Sequence, residues 1–152
     1  METARPARPD DRAACLALVG RALDGAASMR GGRALQGDAD AESLLERWTT
    51  SAGTALLVGE YEGAVVGLAA VSAAEEATGG RHSGRIECCY VEEGARGVGV
   101  GTALMEAAVA WCAARGCTDV DAMSLPGDRA TKQRLEAAGF TARLLTLTRR
   151  LG

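Results

Sequence analysis

The stretch Arg96-Gly97-Val98-Gly99-Val100-Gly101 joins an apolar, β-branched run that reads as a strand to an alanine-rich run that reads as a helix. Glycine has no Cβ, so Gly97, Gly99 and Gly101 let the loop adopt positive φ and turn successive N–H groups toward one point. An anion suits such a point. A helix opening at Gly101-Thr102 adds unpaired N–H groups and the positive end of its dipole, both of which favour a pyrophosphate over a neutral group. The expected ligand is a phosphorylated cofactor.

The spacing admits three readings. A P-loop demands Gly-Lys followed by Ser or Thr, whereas Gly99 is followed by Val100, Gly101 and Thr102 with no lysine. A dinucleotide fingerprint fits in part: Gly99-Val100-Gly101 begins Gly-x-Gly-x-x-Gly, and Asp119 and Asp121 stand ~20 residues on, where a ribose-binding acid belongs. Its third glycine, however, is Leu104. The remaining reading is Arg-x-x-Gly-x-Gly, with Arg96, Gly99 and Gly101 in register. Together with Cys89-Tyr90-Val91-Glu92-Glu93-Gly94-Ala95 before it, this segment resembles the strand and turn that lead into the acyl-coenzyme A loop of the GNAT family of N-acetyltransferases. Further on, Asp128-Arg129-Ala130 through Leu135-Glu136-Ala137-Ala138-Gly139-Phe140 is similar to the family's Asn-x-x-Ala…Tyr-Glu-x-x-Gly-Phe segment. Two positions depart from it: Asp128 replaces the usual Asn, and Leu135 replaces the tyrosine that many members use to protonate the departing thiolate. The resemblance spans residues 85–140; the N-terminal half agrees only in the order of its elements.

With 152 residues, 47% of them hydrophobic, the chain fits one compact domain over residues 1–152. Two Trp, two Tyr and one Phe leave the core to Ala, Leu and Val. No apolar stretch reaches the ~18 residues that cross a bilayer, and Met1-Glu2-Thr3-Ala4-Arg5 lacks the apolar centre of a signal peptide. A cytoplasmic location and no membrane partner are expected. Five cysteines without Cys-x-x-Cys spacing and a single histidine, His82, indicate neither a metal site nor a disulfide framework. The net charge is −3 and the 17 basic residues are scattered, which argues against nucleic acid as a partner.

Periodicity predicts a strand at 3–8, a helix from Asp10-Asp11 to Leu23, and a loop Ser28-Met29-Arg30-Gly31-Gly32-Arg33. A helix follows over 41–50 with Leu44, Leu45 and Trp48 inward, then a hairpin of 55–59 and 64–71 across Glu62-Gly63. Residues 74–84 read as a polar, mobile loop. Then come a strand at 85–91, the glycine loop, an apolar helix at 101–115, a strand at 118–124, a helix at 129–138 capped by Asp128, and a last strand at 142–148. The class is α/β with a mixed sheet of six or so strands flanked by four helices, the element order of the GNAT fold. The family's further strand is missing, and the edge so exposed suits a homodimer.

The resemblance implies acetyl-coenzyme A as cofactor, a primary amine of a small molecule or peptide as acceptor, and direct transfer between them. The backbone of Cys89 and Val91 would lie along the pantetheine arm. Arg96, Gly97, Val98, Gly99, Val100, Gly101 and Thr102 would hold the phosphates. Arg96 serves a phosphate or the helix end, and Asp128 caps its helix, contacts the cofactor, or does both. The catalytic candidates are Glu87 and Tyr90. Strand alternation puts Glu87 on the face of Val91, where it is either the general base or an ion-pair partner of Arg85 or Arg81. Tyr90 is the candidate substitute acid in place of Leu135. Cys88 and Cys89 read as packing residues. Arg30 and Arg33 meet an anionic part of the acceptor, the cofactor phosphates, or neither. A coenzyme A-binding regulatory module without catalysis competes with the enzyme, and a small dinucleotide-binding protein stands third.

Overall fold

The computed structural model describes residues 1–30, 32, 38–75 and 82–152. Among these, five strands form one sheet in the order β1 (Glu2–Pro6), β2 (Thr54–Tyr61), β3 (Ala64–Glu75), β4 (His82–Val91) and β5 (Asp119–Ala122). The first four pair antiparallel, and β5 joins β4 in parallel. Four α-helices are described: α1 (Arg12–Ala27), α2 (Ala41–Thr50), α3 (Val100–Ala114) and α4 (Arg129–Ala137).

Local chemistry sets the helix ends. Asp40 accepts the Ser43 N–H at 2.8 Å and Asp128 accepts that of Thr131 at 3.1 Å, so each satisfies an orphan donor of α2 and α4. At the other end of α4, Gly139 takes φ +91° and the Phe140 N–H returns to the Leu135 carbonyl at 3.0 Å. Alternation then sorts the strand residues between two layers. Leu57, Ala69, Val71, Ile86 and Val91 meet Leu104, Met105, Ala108 and Leu135 on the α3/α4 face. Leu56, Val58, Leu68 and Ala70 meet Leu18, Val19, Leu45 and Trp48 on the α1/α2 face.

The class is the expected one; most bounds shift by a few residues, and three departures are larger. Helix α1 runs on to Ala27, past Leu23. Residues 74–75 and 82–84, expected in a mobile loop, are paired strand, with Ala74 opposite Ser83 and Glu75 opposite His82; residues 76–81 lie outside the described residues. The strand expected at 142–148 is not formed. Residues 141–152 are neither helix nor strand, and Leu144, Leu145, Leu147 and Leu151 are 76%, 82%, 91% and 88% exposed. Their alternation carries strand propensity, but a strand exists only in a ladder, and no described strand takes this one as a partner. The sheet therefore has five strands where six were expected.

Candidate functional site

Strands β4 and β5 pair from Ser83 opposite Asp119 to Ile86 opposite Ala122, where β5 ends and β4 runs on without it. At the same level the pairing of β4 with β3 slips: Val71 faces Ile86 while Ala70 faces Cys88, so Glu87 has no opposite number. This is a β-bulge, which bends the strand and ends regular pairing beside it. A cleft of about 140 Å³ opens there, lined by Ile86, Glu87, Cys88, Cys89 and Ala122 of the strands, Met123 and Leu125 beyond β5, Met105 of α3, and Asp128, Thr131 and Leu135 of α4 and its cap.

The bulge corrects the face assigned to Glu87. Cys89 and Val91 do share the α3/α4 face with Ile86, but the Glu87 carboxylate points to the opposite layer. There Oε2 accepts from the Arg47 guanidinium and the Trp48 indole N–H, each at 2.9 Å, and Oε1 accepts from Ser72 at 3.1 Å. Its ion-pair partner is thus Arg47, not Arg85; Arg81 lies outside the described residues. Tyr90 packs with the α1/α2 layer and is not among the residues lining the cleft.

Two of the three glycines in the loop after β4 take the expected backbone. Gly97 and Gly99 take φ +85° and +92°, and α3 starts at Val100 with no side chain capping it. Val100 is buried and Val98 packs against the same core, which anchors the loop, while Thr102 is exposed in the first turn of the helix. Gly101 differs from the expectation of positive φ. It is helical and buried, and its lack of a Cβ answers to a close approach instead: a Cβ there would lie 2.8 Å from Arg134 Cζ. The Arg96 Nε–H donates to the Val91 carbonyl at 3.0 Å, and its guanidinium lies 5.6 Å from the Tyr90 ring centre. Asp128 caps α4 and borders the cleft at once; its other oxygen accepts from the Thr131 hydroxyl at 2.6 Å.

Burial pushes the Cys88 thiol up to about 12, and it raises Cys89 as well, against the opposing Arg134 guanidinium. Both remain thiols at neutral pH, so neither is an activated nucleophile. Leu135 is buried in the cleft wall and offers no proton. Arg30 lies in the described chain and Arg33 outside it. Among the described residues no three or more His, Cys, Asp or Glu side chains are grouped to hold a metal ion, and no helix is long and apolar enough to cross a membrane. Arg47 and Arg134 were not singled out by the sequence, and Trp48 was read only as a core residue, because they reach the site from α2 and α4 and no spacing connects them to the glycine loop.

The glycine loop opens an uncapped helix beside a bulged strand that outruns its parallel neighbour, and the acetyltransferase (GNAT) family model matches residues 27–140. The chain belongs to the GNAT acetyltransferase family. A search of curated proteins gave no match. Among solved structures, a mutant form of the BH1408 protein from Bacillus halodurans superposes with a TM-score of 0.83 at 17% identity, covering 97% of this chain and 98% of its own. A putative acetyltransferase from Agrobacterium tumefaciens gives 0.73 at 20% identity over 98% and 99% of the two chains. An aminoglycoside acetyltransferase from an uncultured soil metagenomic sample gives 0.73 at 18% over 100% and 99%. At these identities the GNAT chain shares the fold with them.

Proposed function

We propose that this GNAT chain, as a single cytoplasmic domain, moves an acetyl group from acetyl-coenzyme A to a primary amine of a small molecule or peptide by direct transfer. One observation carries the reading: an uncapped helix start behind two positive-φ glycines, together with a cleft where β4 runs on beyond the end of β5. The first suits a diphosphate and the second a thioester beside an open strand edge.

The residues fit the cofactor. Backbone N–H groups from Gly97 to Thr102 would hold the phosphates. The β5-side edge of β4 at Cys89 and Val91, where Arg96 holds the Val91 carbonyl, would pair with the pantetheine amides once Arg96 turns to the phosphates, and Asp128 at the cleft border would accept from them. Acetyl-coenzyme A supplies an acetyl group already activated as a thioester. The Glu87 carboxylate lies on the α1/α2 side of the sheet, so the amine would approach from there while the thioester lies on the α3/α4 side. As the N–C bond forms and the C–S bond breaks, Glu87 takes the amine proton and passes it to solvent. The departing thiolate needs no acid from the enzyme, since a thiol with a pKa near ~8.5 leaves readily and is protonated by water. The protonated Cys88 and Cys89 favour this route over a covalent acyl-cysteine.

Thiol release measured over a panel of amines tests the enzyme, and calorimetry against coenzyme A and NAD tests the cofactor. Turnover on at least one amine is expected. If coenzyme A binds and no amine reacts at any pH, the regulatory module takes over; Leu135 in the cleft wall is the observation that favours it. A homodimer belongs to the same proposal, because β5 pairs with β4 on one edge and with no strand on the other among the described residues. Light scattering checks it.

A further inference from the structure

Arg134 and Leu135 are neighbours on α4 and face different ways. Leu135 enters the core. Arg134 sends its guanidinium to the first turn of α3, where a Cβ on Gly101 would meet Cζ at 2.8 Å and Nε at 2.9 Å, closer than such atoms come. Only a glycine at 101 admits it. The same guanidinium stands beside the Cys89 thiol on β4 and opposes the rise that burial causes there. It therefore bridges the two elements on which the cofactor reading rests, the glycine loop and the open edge of β4.

Its electrostatics differ from those of the arginines that are held in ion pairs. Arg5, Arg12, Arg21, Arg47 and Arg143 each pair with a carboxylate. Among the described residues Arg134 pairs with none, although it is half-buried and therefore poorly hydrated. It also sits at the start of α3, where the helix dipole already presents positive charge. Two positive sources held together without an anion repel each other. With an anion between them, both attract it, and a guanidinium adds two directed N–H donors to the backbone ones.

We infer that Arg134 is a cofactor-binding residue: it closes from α4 over Gly101 onto the diphosphate of coenzyme A, opposite the backbone N–H groups of the loop. The inference rests on the acetyl-coenzyme A reading above. It assigns Gly101 a second task, leaving room for the guanidinium as well as for the phosphates.

Calorimetry on the full chain, wild type, Arg134→Ala and Arg134→Lys, with coenzyme A and with pantetheine at low and physiological salt, tests it. Pantetheine has the arm without the diphosphate. Arg134→Ala is expected to weaken coenzyme A binding roughly tenfold or more, to leave pantetheine unchanged, and to flatten the salt dependence. Arg134→Lys should keep most of the affinity, since it keeps the charge. Equal affinity of Arg134→Ala and wild type for coenzyme A would overturn the inference alone. So would an equal loss for both ligands, which marks a packing role, or tighter binding, which marks an obstruction. A wild type that binds neither ligand would overturn the acetyl-coenzyme A reading itself, and the inference with it.

Discussion

Gly99→Ala and Gly101→Ala look alike in the sequence and part in the structure. At Gly99 the backbone has φ +92°, where a Cβ costs about 1–2 kcal/mol, and the methyl would also press within 3.2 Å of Glu2 Cγ. At Gly101 the backbone is helical, so alanine gains up to about 1 kcal/mol over glycine. Its methyl meets the far end of a flexible arginine, which swings away. For a domain of this size about 1 kcal/mol corresponds to roughly 2–4 °C. Gly99→Ala should therefore melt about 2–8 °C lower, while Gly101→Ala melts at or slightly above the wild-type temperature. Binding should suffer in both. The 101 methyl would stand where a phosphate must approach the N–H groups and evicts Arg134, a loss of about 1–3 kcal/mol, or roughly 5- to 150-fold in Kd. Thermal melts paired with calorimetry against coenzyme A read both quantities from one preparation. A Gly101→Ala protein as stable as wild type that binds coenzyme A with unchanged affinity would refute the cradle.

Arg96→Ala should cost only about 1–2 kcal/mol of coenzyme A affinity by calorimetry, because the side chain that loses a phosphate contact also releases the Val91 carbonyl it now occupies. In pH profiles of kcat/KM, the wild type should show one ascending limb and no descending one; Glu87→Gln should lower or abolish the limb while the melting temperature moves little, and a fall between about pH 8 and 10 that vanishes in Tyr90→Phe would make Tyr90 the acid after all. The Asp11 carboxyl is held below its ordinary value chiefly by the Arg5 guanidinium, with help from the Arg8 N–H. A depressed value in the folded state stabilises above the unfolded value of about 4 and is lost as pH falls through the folded one, so acid titration of the melting temperature below about pH 4 should be steeper in wild type than in Asp11→Asn.

Caps and glycines made much of the fold legible. Asp128 and Gly139 act within one helical turn, so their effect can be read from adjacent residues. Glu87 could not be placed in this way. Its face depends on how β3 registers against β4, a relation between segments that alternation along one strand does not contain. Arg134 was equally silent: on α4 it reads as one more charge on a polar helix, and only the approach of α3 gives it a neighbour. At the C-terminus the reverse error arose, since local alternation predicted a strand that lacks a ladder.

The bulge makes Glu87 a supernumerary residue. Ile86 pairs with Val71 and Cys88 with Ala70, and across each pair both side chains already lie on one face of the sheet. Excising residue 87 would close β4 into a regular ladder with every remaining side chain still facing its present layer, at the loss of the bonds to Arg47, Trp48 and Ser72. Elsewhere in the strand a one-residue deletion would invert whatever follows it. The chain thus carries its candidate base on an insertion that the sheet itself does not require, and a shortened variant is a way to ask what the architecture does when the carboxylate and its kink are removed together.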